Sequence, residues 1–251
     1  SASDFGWAGG WTGDGSVVSP GFDYTDGADD LVTAGNKANL AGGGSSSALA
    51  FRTLTSAQSP TISDPIWISV IMQRKSSDDN RRAFLLSFSQ DTGQPEFNIG
   101  QTNQFDTSDN AGDTYPWLAA ITDRTGDSDT EEAAGTNTLN KTFLVARLST
   151  DGTDETLDVF LNPDLNTEPS TADISVTGDV AAFDTVRLFA GDNLGGADAA
   201  DADFDEIRIG TTFRSVAPIP EPATVGLIVL GGAMLLGRRG RGNHRDVGLH
   251  A

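Results

Sequence analysis

The sequence contains no cysteine, which excludes a disulfide framework, thiolate metal sites and a thiol nucleophile. Its two histidines, His244 and His250, both lie close to the C-terminus. The body of the chain therefore has no imidazole, and neither a Ser-His-Asp relay nor a histidine zinc centre can be built there. Lysine is scarce, with only Lys37, Lys75 and Lys141, and no glycine-rich loop ending in lysine offers a phosphate cradle. Before Pro220 no segment carries an apolar stripe at the 3.6-residue spacing of a helix.

Aspartate is abundant. There are 29 Asp against 7 Glu in 251 residues, and the formal net charge is −20. Up to Ala217 the chain has 34 acidic and 12 basic residues, a net −22; from Pro218 onward four arginines face two acids, a net +2. An acidic body repels phosphate backbones, so nucleic acid is excluded as a partner. Aspartate disfavours helices and favours turns, which points to a loop-rich β protein. Its charge serves solubility or, alternatively, calcium.

The strand signature is period-two alternation bounded by Gly, Asp, Asn and Pro. IWISVIMQRK (residues 66–75) puts Ile66, Ile68, Val70 and Met72 on one face, and RAFLLSFSQ (82–90) does the same with Phe84, Leu86 and Phe88. Phe97 aligns with Ile99, and Leu157 with Val159 and Leu161. Residues 142–150, 186–191 and 204–210 complete the series. Asp151-Gly152 is the core of an expected hairpin turn. Many short strands with long polar connections make an all-β sandwich or barrel of one domain, residues 1–217. No charged-then-apolar leader opens the sequence, so export implies a leader removed from it or lying outside it.

The stretches GGWTGDGSVVSPGFDY, SALAFRTL, IWISVIMQRK and DFDEIRIGTTFRSV resemble the concanavalin A-like, laminin-G-like domains of bacterial surface proteins. The resemblance implies a two-sheet antiparallel jelly-roll β-sandwich, whose concave face or edge loops bind sugars or calcium in many such domains. Jelly-roll β-glucanases carry Glu-x-Asp-x-x-Glu on one strand. Here residues 201–209 hold Glu206 as their only glutamate and lack that spacing, so a glycoside hydrolase or lyase is the weakest of three readings and the chain is expected to be non-catalytic.

The tail differs in kind. After Pro218, Pro220 and Pro222, residues 223–237 carry no charge, and Arg238-Arg239 follow. A run apolar on all sides has no face for water. It is short of the ~20 residues of a usual span, but arginines reach headgroups and lengthen it. Positive charge on the cytoplasmic side puts the acidic body outside. The order Pro220-Glu221-Pro222, apolar helix, Arg238-Arg239 resembles a PEP-CTERM sorting signal, although residues 242–251 extend past the usual end. This implies residues 218–222 as a spacer, 223–241 as a transmembrane helix with its basic cluster, and 242–251 as a tail. It also implies export, transient inner-membrane anchoring, recognition by an exosortase, and a final place on the surface or in the extracellular matrix of a Gram-negative type bacterium.

Two segments are candidate ligand sites, each set against a plainer reading, a solvated acidic loop for the first and aromatic packing in core or loop for the second. Calcium takes six to eight oxygens from flexible loops, and Asp192, Asn193, Asp198, Asp201 and Asp203 crowd one segment. Asp201, Asp203 and Asp205 share a face of an extended chain, and their mutual repulsion would be relieved by a divalent ion. The sugar site is expected at Tyr115 and Trp117 on a loop, since pyranose faces stack on aromatic rings. Trp67 reads as core, while Trp7 and Trp11 lie in a Gly-rich segment. The leading reading is an exported glycan-binding protein of extracellular polysaccharide; a calcium-dependent adhesive module without sugar binding is the alternative.

Overall fold

In a computed structural model, residues 6–42, 47–75, 82–90, 95–101, 117–122, 128–133, 139–192 and 201–220 are described. The chain divides into one unit, Ser1–Ile219, and a second, Pro220–Ala251. All of the second unit beyond Pro220 lies outside the described residues, including the expected C-terminal helix.

The first unit is all-β. Its strands are β1 (Thr12–Gly13), β2 (Ser16–Val18), β3 (Lys37–Ala41), β4 (Ala48–Gln58), β5 (Ile66–Arg74), β6 (Arg82–Ser89) and β7 (Phe97–Gln101). They continue with β8 (Trp117–Thr122), β9 (Ser128–Ala133), β10 (Thr142–Thr150), β11 (Glu155–Leu161), β12 (Ile174–Gly178), β13 (Phe183–Asp192) and β14 (Asp201–Gly210). One helical turn, α1 (Phe213–Val216), follows. Two seven-stranded sheets form, ordered β1-β4-β13-β6-β7-β8-β9 and β12-β11-β10-β5-β14-β3-β2, with every pairing antiparallel. The chain crosses between the sheets several times, with β6–β9 consecutive in the first and β10–β12 consecutive in the second.

The main core lies between the sheets. Ile66, Ile68, Val70 and Met72 of β5 meet Phe84, Leu86 and Phe88 of β6 and Phe97 and Ile99 of β7 there, so the alternating faces of these strands are the buried ones. Phe88 stacks on Phe97 at 4.5 Å, and Phe183 meets both edge-on. Asp151 turns the β10–β11 hairpin as expected: its Oδ1 accepts from the amides of Thr153 and Asp154, and Gly152 takes the positive φ that the turn demands.

Strand β14 holds a local irregularity. Ala202 and Phe204 face the main core, but so do Ile207 and Ile209, which have the opposite parity. The register with β5 shifts between Asp205 and Arg208, and Glu206 sits at φ 51°. This bulge inserts one residue and flips the face that points inward.

A second core covers the outer face of the second sheet. Trp67, Ile71, Phe143, Val145 and Phe160 project outward and are roofed by Phe22, Tyr24, Leu31, Leu165 and α1 residues Phe213 and Val216. Trp67 stacks on Phe160 at 6.1 Å and takes the edge of Phe213 at 5.7 Å, so it is core as expected. The roof is pinned by polar contacts. Tyr24 donates to Asn162 Oδ1, which also accepts from the Phe143 amide, and Val32 donates to the Pro218 carbonyl. Ile219 packs against this core as well. The first unit runs to Ile219, and Pro220, the last described residue, is exposed.

Candidate functional site

The expected sugar platform does not form at Trp117. Trp117 opens β8 and is 0% exposed, packed in the main core with its ring edge-on to Phe84 at 5.6 Å. Its alternation with Ala119 and Ile121 turns all three inward, and a ring sealed between sheets cannot stack on a sugar. Tyr115 lies outside the described residues.

The acidic cluster is also differently arranged. Asp201 and Asp203 do share the outer side of β14, but they are compensated. Asp203, 2% exposed, accepts Lys37 Nζ at 2.7 Å on Oδ2, while its Oδ1 faces Lys75 Nζ at 3.9 Å. Asn39 Nδ2 donates to Asp203 Oδ1 at 2.9 Å and to Asp201 Oδ1 at 2.8 Å, and Lys75 lies 3.8 Å from Asp201. Asp205 Oδ2 accepts the Phe22 amide at 2.6 Å and its Oδ1 accepts the Glu206 amide. Two of the chain's three lysines therefore supply the positive charge that a divalent ion was expected to bring, and a cation at Asp203 would have to displace Lys37. Among the described residues no group of three metal-ligating side chains converges. Asp192 ends β13; Asn193 and Asp198 lie outside the described residues. Of the residues expected to form a sorting signal only Pro220 is described; Glu221, Pro222, Arg238 and Arg239 lie outside the described residues.

An aromatic surface forms instead at the β1–β4 edge of the first sheet. Residues 6–8 run along β4: Trp7 bridges Leu54, the Ala8 amide donates to the Thr53 carbonyl, and the Thr55 amide donates to the Gly6 carbonyl. The chain bends out at Ala8-Gly9 and continues in the same direction along β4 as β1, where Thr12 pairs with Phe51. Five residues from Trp7 to Thr12 span only three of β4, Leu54 to Phe51, and this bulge sets Trp7 beside Trp11, with ring centroids 6.1 Å apart and planes tilted by 43°. Arg52 of β4 fills the space beneath. Its guanidinium carbon is 4.2 Å from the Trp7 centroid and 6.0 Å from that of Trp11, and its Nε donates to the Gly9 carbonyl at 2.9 Å. Burial against the rings pushes the Arg52 pKa down from its ordinary value, far too weakly placed against neutral pH to remove its charge.

The division of labour within this trio follows from burial. Trp7 packs one side against the main core and holds Arg52 in place, whereas Trp11 is 37% exposed. The result is an indole offered to solvent, backed by a second indole and edged by a planar cation. Such a surface suits a ligand with an apolar face and polar edges. Arg187 makes a comparable contact with Phe189 at 5.3 Å, but Phe189 is buried and offers no ring to solvent. Arg52 has no signal of its own in the sequence, being one arginine in a strand; the Trp-Ala-Gly-Gly-Trp spacing at residues 7–11 was the visible one.

Neither a family model nor a curated protein matches the chain. Among solved structures it is similar to a carbohydrate-binding module, CBM66, from Bacillus subtilis, at 13% identity over 80% of this chain and 95% of that chain, with a TM-score of 0.45. It is similar to a legume lectin-like domain from Entamoeba histolytica, at 8% identity over 80% of this chain and 90% of that one, with a TM-score of 0.44. The Ca2+-bound exoplasmic/lumenal domain of VIP36 is 13% identical over 80% of this chain and 88% of that one, with a TM-score of 0.42. The two-sheet assignment rests on strand pairing and burial, independently of these likenesses.

Proposed function

We propose that this chain is an exported, non-catalytic glycan-binding protein whose body meets polysaccharide through the Trp7–Trp11–Arg52 surface. The observation that carries the reading is the exposed Trp11 ring, held against Trp7 and Arg52 at the edge of a sheet. An indole left in water gains by covering its face with the C–H face of a pyranose, and hydroxyls around the sugar find the Gly9-Gly10 backbone and the guanidinium at the rim. The tail supports the rest of the reading: its Pro-Glu-Pro, apolar and arginine segments follow the order of a sorting signal read by an exosortase, which leaves the body outside the inner membrane.

Affinity electrophoresis through gels containing soluble polysaccharides tests the binding. The wild-type chain is expected to be retarded by at least one polymer, and Trp11→Ala to lose that retardation about tenfold with its denaturation midpoint unchanged. Equal retardation of Trp11→Ala and wild type would sink the assignment of this face.

A further inference from the structure

The chemistry around Arg52 points to a class of sugar. The body carries a net −22, yet among the described residues only some of its cations pair with a carboxylate. Lys37, Lys75, Arg147 and Arg208 each pair with one. Among the described residues Arg52 pairs with none: it gives Nε to the Gly9 carbonyl and its face to Trp7. Neither terminal nitrogen of its guanidinium is a buried atom lacking a partner, and neither donates to a described residue, so the edge bearing Nη1 and Nη2 is left for water. That edge is the one that takes a carboxylate in two parallel hydrogen bonds.

A neutral sugar stacked on Trp11 would leave this paired donor edge with a hydroxyl at best. A sugar carrying a carboxylate at ring C5 satisfies both parts of the surface, its ring face on the indole and its charge on the guanidinium. The acidity of the rest of the body then limits how many such charges the ligand can carry. A dense polyanion is repelled by a body of net −22, most strongly where like charges come within the ~8 Å screening length of physiological ionic strength.

We infer that the Trp7–Trp11–Arg52 face selects a uronic acid residue placed sparsely along an otherwise neutral glycan, with Trp11 carrying the ring and Arg52 the carboxylate. The inference rests on the reading that this face binds sugars, and it adds the charge of the sugar.

The test uses the full chain in mild detergent at 0.15 M salt, titrated by tryptophan fluorescence and calorimetry. Three probes are compared: a xylo-oligosaccharide bearing one glucuronic acid branch, the same branched compound with its carboxyl reduced to the alcohol, and the unbranched oligosaccharide. The uronic acid compound is expected to bind at least tenfold more tightly than the other two. Arg52→Gln is expected to abolish the preference between the acid and its reduced form, and Trp11→Ala to weaken all three. Equal affinity of wild type for the acid and its reduced form overturns the inference even if Arg52→Gln fails to fold, because that comparison needs no variant. A preference that survives Arg52→Gln in a folded protein overturns it too. Binding of all three probes with no preference, lost in Trp11→Ala, overturns the uronate selection and leaves glycan binding standing; no binding of any probe overturns both.

Discussion

At the residue scale, Trp117 is buried where local sequence suggests exposure, and Trp11 is the exposed tryptophan. Trp117 stands among Asp, Thr, Tyr and Pro, and its polar neighbours made it look exposed. What buries it is the register of β8 beside β7, which pairs Ile99 with Ala119 and so aligns Trp117, Ala119 and Ile121 with the inward face. Trp11 sits in an equally polar stretch and stays out: it precedes β1, an exposed two-residue strand at the edge of the first sheet. Truncating Trp117 to Ala is expected to cost about 3–5 kcal/mol, the range for emptying a large aromatic from a core. Urea unfolding measures this, and a loss below about 1 kcal/mol would mean that the ring is not sealed where the fold puts it. Arg52 was invisible as a site residue because a cation's role depends on which rings a distant segment lays over it.

At the scale of elements, strand faces were largely legible. Apolar alternation in β5, β6, β7 and β11 marks the residues that meet in the main core, because the side-chain period of an extended chain is two whatever surrounds it. Two things escaped. One is the bulge in β14, which needs a partner strand before an extra residue has meaning. The other is the roof over the second sheet, made from loops with no periodic pattern. Asp26 shows how that roof is tied down. Its Oδ1 accepts the amides of Ala28 and Asp29, and its Oδ2 accepts the Leu165 amide at 2.8 Å from a loop 139 residues away in sequence. Arg214 of α1 donates to the carbonyls of Leu165 and Asn166 from the other side.

The backbone amides of Leu165, Asp29 and Ala28 hold the Asp26 carboxyl below its ordinary value of 3.8. A carboxylate depressed in the folded state adds stability above the unfolded pKa and loses it as pH falls through the folded one. The stability gap between wild type and Asp26→Asn is therefore expected to be open at pH 7 and to narrow below about pH 4. Denaturant midpoints at pH 7 and pH 3 measure it, and a gap of constant size would show that the negative charge plays no part in the clamp.

At the scale of the whole molecule, the first unit ends at Ile219, within the proline-rich segment. Phe213, Val216 and Ala217 are buried in the second core and the Pro218 carbonyl is bonded to Val32, whereas Pro220 is exposed. Cutting beyond Pro220 removes no described core contact; cutting before Phe213 removes two large apolar side chains, worth on the order of 5 kcal/mol together. A chain ending at Pro220 is expected to unfold at the same urea concentration as the full chain and to leave the membrane fraction of producing cells. A chain ending at Thr212 is expected to be strongly destabilised. If the chain ending at Pro220 still sediments with membranes, the proposed role of the tail as the anchor fails.

What the amino-acid order determined by itself is what depends on local spacing: alternating strand faces, the Asp-Gly hairpin, an acidic body unfit for phosphate, and a terminal apolar run ending in arginines. Only the tertiary structure decided which polar and aromatic groups meet. Lys37 and Lys75 reach Asp203 from other strands, and Trp7 and Arg52, 45 positions apart in the chain, come within 4.2 Å. Periodicity is a property of one segment, whereas charge compensation and ring stacking are properties of pairs brought together by strand order and register, and no single segment encodes them.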